Sequence, residues 1–308
     1  MPSFDQTWHD IHFTSRDGLR LYARHYPAAG GARGRPVVCL AGLTRNSKDF
    51  HDLAEALAGH AACPRDVYCL DYRGRGRSQY DPDWKNYTVL VEMQDVLDFM
   101  TLRGLHDAAV IGTSRGGLIA MVMAVVRPAA LGAVVLNDIG PVLEREGIAR
   151  ITAYVGKVPL PKDWTEATEL VRGMNKRFFT DIPDEQWEEV ARQMFSDENG
   201  LPTPGYDAKL GNAVSLLNGP LPELWPQFAA LARVPVLALR GETSDILSRK
   251  TLDEMRLRHP RLESFIIRGQ GHAPLLKDAQ SITTIANFLD HAEAAPGATH
   301  VPALAAGR

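Results

Sequence analysis

Ser114 stands in Gly112-Thr113-Ser114-Arg115-Gly116, between an apolar run that reads as a strand and an apolar run that reads as a helix. A serine hydroxyl is a weak nucleophile until a base takes its proton, so a catalytic serine must stand exposed beside an imidazole. A sharp strand-to-helix turn gives that exposure. It also forces a strained backbone, in which side chains two residues either side of the serine would collide with their surroundings; Gly112 and Gly116 remove those side chains. At the start of the following helix, unpaired backbone N–H groups and the helix dipole would stabilise negative charge developing near Ser114. The same five-residue pattern also occurs as an inert turn. Its context separates the two readings here, because a histidine and an acid follow further along the chain.

Ten histidines are candidates for the base, and His272 is the best placed. It sits in Arg268-Gly269-Gln270-Gly271-His272-Ala273-Pro274, a glycine-rich loop just past the last strand-like run. A loop at a strand's carboxyl end can face Ser114, whereas His51, His60, His106 and His259 read as surface positions. For the acid, Asp245 follows the strand-like run 234–239 and is favoured, to fix the imidazole tautomer and stabilise the imidazolium. Asp138 also ends a strand-like run and competes with it; Glu242 is weaker. Capping or loop hydrogen bonding is the ordinary role for the acids not used.

Elements alternate in the way needed to hold such residues. Strand-like runs at 36–40, 67–70, 108–111, 133–136, 234–239 and 262–267 are separated by helix-length segments at 48–58, 89–102, 115–126, 249–258 and 279–291, which predicts an α/β fold with a mainly parallel sheet covered on both faces. Residues 9–14 and 19–26, joined through Asp17-Gly18, predict an antiparallel hairpin. Between 137 and 234 no strand is predicted, while 166–178 and 184–195 carry helical periodicity. That stretch reads as a helical insertion. The tail 292–308, rich in Ala, Gly and Pro, is expected to be poorly ordered.

Over roughly residues 8–290 this pattern resembles the α/β-hydrolase fold family, in which serine, acid and histidine follow in the order Ser114, Asp245, His272. Asp71-Tyr72-Arg73-Gly74-Arg75-Gly76-Arg77-Ser78 is similar to the family's loop after the fourth strand. The resemblance implies a mostly parallel eight-stranded sheet flanked by helices. It also implies a core domain over 1–138 and 229–291, and a helical cap over 139–228. An oxyanion hole would come from the N–H groups of Leu43 and Arg115. The family usually has His-Gly where this chain has Ala41-Gly42, so backbone donation survives while the loop's side-chain support is left open. Arg45, two residues beyond Leu43, is a possible substrate contact; its guanidinium could hold a carboxylate, and its ordinary role would be to pair with Asp49. A serine at 114 argues against the dehalogenase and epoxide hydrolase branches, which use aspartate.

The chain has 308 residues, a formal charge of -3 and 45% hydrophobic side chains, giving no general attraction for nucleic acid or anionic membrane. The Arg-Gly-Arg-Gly-Arg run lacks interleaved aromatics and reads as a structural loop. No signal-like segment or membrane-length apolar run is present, so a cytoplasmic protein is expected. Three cysteines without metal-ligand spacing read as buried reduced thiols. No phosphate-binding loop, dinucleotide fingerprint or metal cluster appears, and no cofactor or metal is expected. The expected reaction is hydrolysis of a small-molecule carboxylic ester or lactone through an acyl-enzyme. Carbon–carbon bond hydrolysis of a diketone-like substrate and a slow-turnover ligand receptor are the alternatives.

Overall fold

The computed structural model describes residues 6–215 and 221–294. In chain order the strands are β1 (His9–Thr14), β2 (Arg20–Tyr26), β3 (Val37–Leu40), β4 (Val67–Asp71), β5 (Ala108–Thr113), β6 (Leu131–Asn137), β7 (Phe195–Glu198), β8 (Leu201–Pro204), β9 (Val236–Gly241) and β10 (Leu262–Ile267). The helices are α1 (His51–Ala58), α2 (Val89–Leu102), α3 (Arg115–Val126), α4 (Arg145–Tyr154), α5 (Trp164–Asn175), α6 (Trp187–Met194), α7 (Leu210–Ser215), α8 (Trp225–Ala229), α9 (Arg249–Arg258) and α10 (Ala279–Ala294).

Eight strands form one sheet in the order β1-β2-β4-β3-β5-β6-β9-β10. β1 and β2 form the expected antiparallel hairpin, and β2 runs antiparallel to β4; every other pairing is parallel. Parallel strands covered on both faces need apolar side chains on both, and β3, β4, β6 and β9 are buried at every position. Val38, Leu70, Val110 and Val134 pack on one face with Val96 of α2 and Ile119 of α3. Val37, Cys39, Val67 and Ile111 pack on the other with Leu53 of α1 and Phe288 of α10. Each such aliphatic side chain contributes about 1.5–3 kcal/mol on full burial.

The chain leaves β3 toward β4 on one side and then crosses to β5 on the other, so the strand order reverses at β3. Loops leaving the carboxyl ends of β3 and β5 therefore diverge and open a crevice. The loop carrying Leu43 leaves β3 and the turn carrying Ser114 leaves β5.

Residues 139–215 and 221–224 lie outside this sheet, and a small separate cluster forms around α5 and α6, with Val171 of α5, Trp187 and Val190 of α6, and Phe179 and Phe195. The expectation of no strand here is corrected by the hairpin β7–β8. Its turn, Asn199-Gly200, has both residues at positive φ (55° and 84°), the conformation an Asn-Gly pair favours. Acidic residues and two prolines in the flanking strands hid the alternation that would have announced it. Helix α4 also lies in this stretch, outside the two segments with predicted helical periodicity. At the far end, Phe228 of α8 is already buried in the main core beside α3. Residues 292–294 of the expected tail complete α10, and 295–308 lie outside the described residues.

Candidate active site

β5 runs into α3 through Ser114, whose φ of 51° and ψ of -110° lie outside the regions ordinary residues prefer. The flanking glycines are required by contact. A Cβ on Gly112 would lie 2.5 Å from backbone atoms of Gly116 and Gly117, and one on Gly116 would lie 2.1 Å from the carbonyl oxygen of Leu40. The turn thus packs backbone on backbone and lifts the serine side chain out of the sheet.

Ser114 Oγ lies 2.8 Å from His272 Nε2, and His272 Nδ1 lies 2.7 Å from Asp138 Oδ2. The Asp138 carboxylate is fully buried and has two further donors, the Gly241 N–H to Oδ1 at 2.7 Å and the Ser244 hydroxyl to Oδ2 at 2.6 Å. A buried carboxylate held by three donors is oriented as well as solvated. Asn137, also buried, donates from its amide to Thr113 Oγ1 at 3.0 Å and to the Pro274 carbonyl at 2.9 Å, tying the histidine loop to the serine strand.

The expectation for Asp245 is corrected. Both its carboxylate oxygens are held by Arg150 of α4, at 2.6 and 2.8 Å. Burial raises its pKa, but the hydrogen bonds and charge of Arg150 outweigh this and leave it below the usual carboxylate value. The reason lies in strand order. β6, which ends at Asp138, is the direct neighbour of β5, whereas β9 stands one strand further away. Glu242 accepts the Gly269 N–H at 3.0 Å, bracing the histidine loop. Ser244 had no signal in the sequence beyond its place after a strand.

Glycines in the histidine loop also answer to contact. A Cβ on Gly269 would strike the Asp181 carboxylate at 2.1 Å and one on Gly271 would meet Phe178 Cβ at 2.7 Å. The segment between α5 and α6 therefore lies directly on the loop that carries His272. His259, expected at the surface, is buried, with Nε2 3.0 Å from the Leu231 carbonyl oxygen. Cys39 and Cys69 are buried partners across β3 and β4, while Cys63 is half-buried.

A pocket is lined by Ser114 and His272, by Leu43 and Thr44 of the β3 loop, and by Tyr154, Phe179, Trp187 and Val190 of the insertion. Gly42 C=O accepts the Arg45 N–H at 3.1 Å, a tight turn that fixes the Gly42–Leu43 peptide. Arg115, at the first position of α3, belongs to the turn whose N–H groups have no partner within the helix. Arg45 lines the pocket, but its Nε and Nη2 are both given to Asp49, at 2.8 and 2.5 Å. The expected carboxylate-binding fork is thus already occupied. Among the described residues, no helix is long and apolar enough to cross a membrane.

The profile of the Alpha/beta hydrolase family matches residues 37–282. A 3-hydroxybutyrate-oligomer hydrolase of Cupriavidus necator is 32% identical over 268 residues, 83% of this chain and 89% of that protein. The sn-1-specific diacylglycerol lipase ABHD11 of Xenopus laevis is 25% identical over 268 residues, 85% of this chain and 82% of that protein. Among solved structures, an alpha/beta hydrolase from Novosphingobium aromaticivorans superposes with a TM-score of 0.85 at 38% identity, covering 92% of this chain and 98% of that one. Sheet order, serine turn and profile agree, and the chain belongs to the α/β-hydrolase family.

Proposed function

We propose that the protein is a serine hydrolase of carboxylic esters, and that its substrates are short ester-linked hydroxyacids. The observation that carries the reaction is the line Ser114–His272–Asp138, with 2.8 and 2.7 Å between successive partners. His272 Nε2 takes the Ser114 proton as Oγ attacks the ester carbonyl carbon, and Asp138 holds Nδ1–H and stabilises the imidazolium. Leu43 and Arg115 N–H groups bind the tetrahedral oxyanion. Collapse expels the alcohol, protonated by His272; water activated by His272 then releases the acid. No step draws on a cofactor or metal.

The insertion after β6, up to α8, acts as a cap in this reading, since its Tyr154, Phe179, Trp187 and Val190 line the same pocket as Ser114. The hydroxyacid assignment is supported by the likeness to the 3-hydroxybutyrate-oligomer hydrolase over most of both chains. A pocket wall largely of aromatic and aliphatic side chains suits a short acyl chain.

The test is a panel of 3-hydroxybutyrate dimers and trimers, simple acyl esters and lactones, assayed with wild type and Ser114→Ala. Release of 3-hydroxybutyrate that disappears in Ser114→Ala is the expected result. Turnover confined to simple esters or lactones would move the substrate class, undiminished turnover in Ser114→Ala would remove the mechanism, and a single burst without turnover would favour a receptor.

A further inference from the structure

Both proposed oxyanion donors converge on one buried acid. Glu92, in the first turn of α2, has no exposed surface and touches two arginines. Its Oε2 accepts from Arg115 Nε at 2.5 Å, and its Oε1 lies 2.8 Å from Arg75 Nη1. Arg75 is itself fully buried in the loop after β4; its Nη1 donates to the Arg73 carbonyl at 2.7 Å and its Nε donates to the Leu43 carbonyl at 2.9 Å. The Tyr72 and Tyr87 rings flank the guanidinium, with its carbon 5.6 and 5.3 Å from their centroids. Arg115 Nη2 reaches the Tyr87 carbonyl at 3.1 Å.

We propose that Glu92 and Arg75 are positioning residues for the oxyanion hole, with Glu92 locking Arg75 onto the Leu43 loop and Arg115 onto the start of α3. Two peptide planes meet at Leu43. The plane bearing its N–H is set by the Gly42–Arg45 turn, and the plane bearing its C=O is set by Arg75. With both fixed, the N–H has one direction. This supplies the side-chain support that Ala41 cannot give where the family usually has histidine. Burying a long, charged guanidinium against two neutral carbonyls is costly without a counter-ion, so Glu92 is what lets Arg75 stand there. The second donor is served by the same carboxylate, because Arg115 carries that N–H and is anchored through its own side chain.

The inference rests on the serine hydrolase reading, so the experiment carries arms for both. Arg75→Met leaves Glu92 and Arg115 as a compensated pair and removes the hold on Leu43, together with the bond to the Arg73 carbonyl within the β4 loop. Its kcat is expected to fall by about tenfold to a hundredfold, short of the loss of a whole donor, with KM changed by less than about twofold. Affinity for phenylboronic acid, whose tetrahedral adduct on Ser114 places an oxygen in the hole, should fall by the same factor as kcat. Glu92→Gln should show the same split. Arg65→Met, which removes an equally buried arginine paired with Asp290 and Glu293, should lower Tm and leave kcat unchanged. If Arg75→Met does not fold, Arg75→Lys keeps the charge without the planar fork and is read in the same way. A folded variant with wild-type kcat, or one whose kcat and KM losses merely follow its Tm as in Arg65→Met, overturns the positioning role alone. Wild-type activity that survives Ser114→Ala overturns the parent reading.

Discussion

Asp138 and Asp245 both follow strands, and only geometry separates them. In Asp138→Asn, the amide oxygen would still be needed by the Gly241 N–H, which turns the NH₂ group toward His272 Nδ1. Two donors cannot share that contact, so the imidazole would carry its proton on Nε2 and could not accept from Ser114. The expected loss in kcat is about 10⁴, the scale seen when a triad aspartate becomes asparagine. Asp245→Asn weakens a pair with Arg150 and should cost less than about tenfold, within the range of a partly buried ion pair outside the reacting atoms. Steady-state kinetics of the two variants decide it, and the opposite ranking would return the role to Asp245. The residue types at this scale were largely legible: Ser114 and His272 stand out because each lies in a glycine-marked turn after an apolar run. The choice of acid was not, because it depends on which strand lies beside β5, and lateral strand order leaves no local mark.

At the scale of elements, the serine turn shows why glycine spacing is informative. An alanine Cβ at 116 would overlap the Leu40 carbonyl, which is backbone of the adjoining strand β3 and cannot swing aside. Gly116→Ala should therefore push β3 from α3, cost about 1–3 kcal/mol as overpacked sites do, and lower Tm by several degrees. Gly173 is the control. It lies in α5 with nothing within 4 Å of a built Cβ, so Gly173→Ala should raise stability by about 0.5–1 kcal/mol through helix propensity. Thermal melts of both variants test the contrast; a Gly116→Ala protein as stable as wild type would show that the close approach is not required. The same elements mark where sequence patterns carry and where they fail. Helices α2, α3 and α9 and strands β1 and β10 have the bounds their periodicity predicts. β7 and β8 hid because Asp197, Glu198, Pro202 and Pro204 suppress the alternation that defines a strand, leaving only the Asn199-Gly200 turn as a signal.

Across the whole molecule, the pocket exists because the insertion carrying α5 and α6 is held against the core, and α6 is held at both ends by lysines from core loops. Lys277, just past the histidine loop, pairs with Glu189 at 2.8 Å. Lys48, in the short turn after the β3 loop, donates to the Arg192 carbonyl at 2.6 Å and to that of Phe195, both at the carboxyl end of α6. Neither contact could be read from sequence, because each joins residues more than eighty positions apart through a surface lysine of ordinary appearance. A cation suits a helix carboxyl end, yet Lys48 is half-buried. Burial, aided by nearby Arg45, pushes its pKa down from 10.5 to about 8, with Asp49 opposing. Below pH 8 the native protein carries a half-buried ammonium at some cost. Between about pH 8 and 10.5 the native state has released that proton while the unfolded chain still holds it, so unfolding takes up a proton and stability gains with rising pH. Other groups titrate in the same window, so the quantity to follow is the difference between wild type and Lys48→Met. Urea unfolding from pH 7 to pH 10 should show wild type gaining on the variant as pH rises. A difference that stays flat or moves the other way would mean that the two carbonyls hold the ammonium strongly enough to cancel its desolvation, making Lys48 a charged latch throughout.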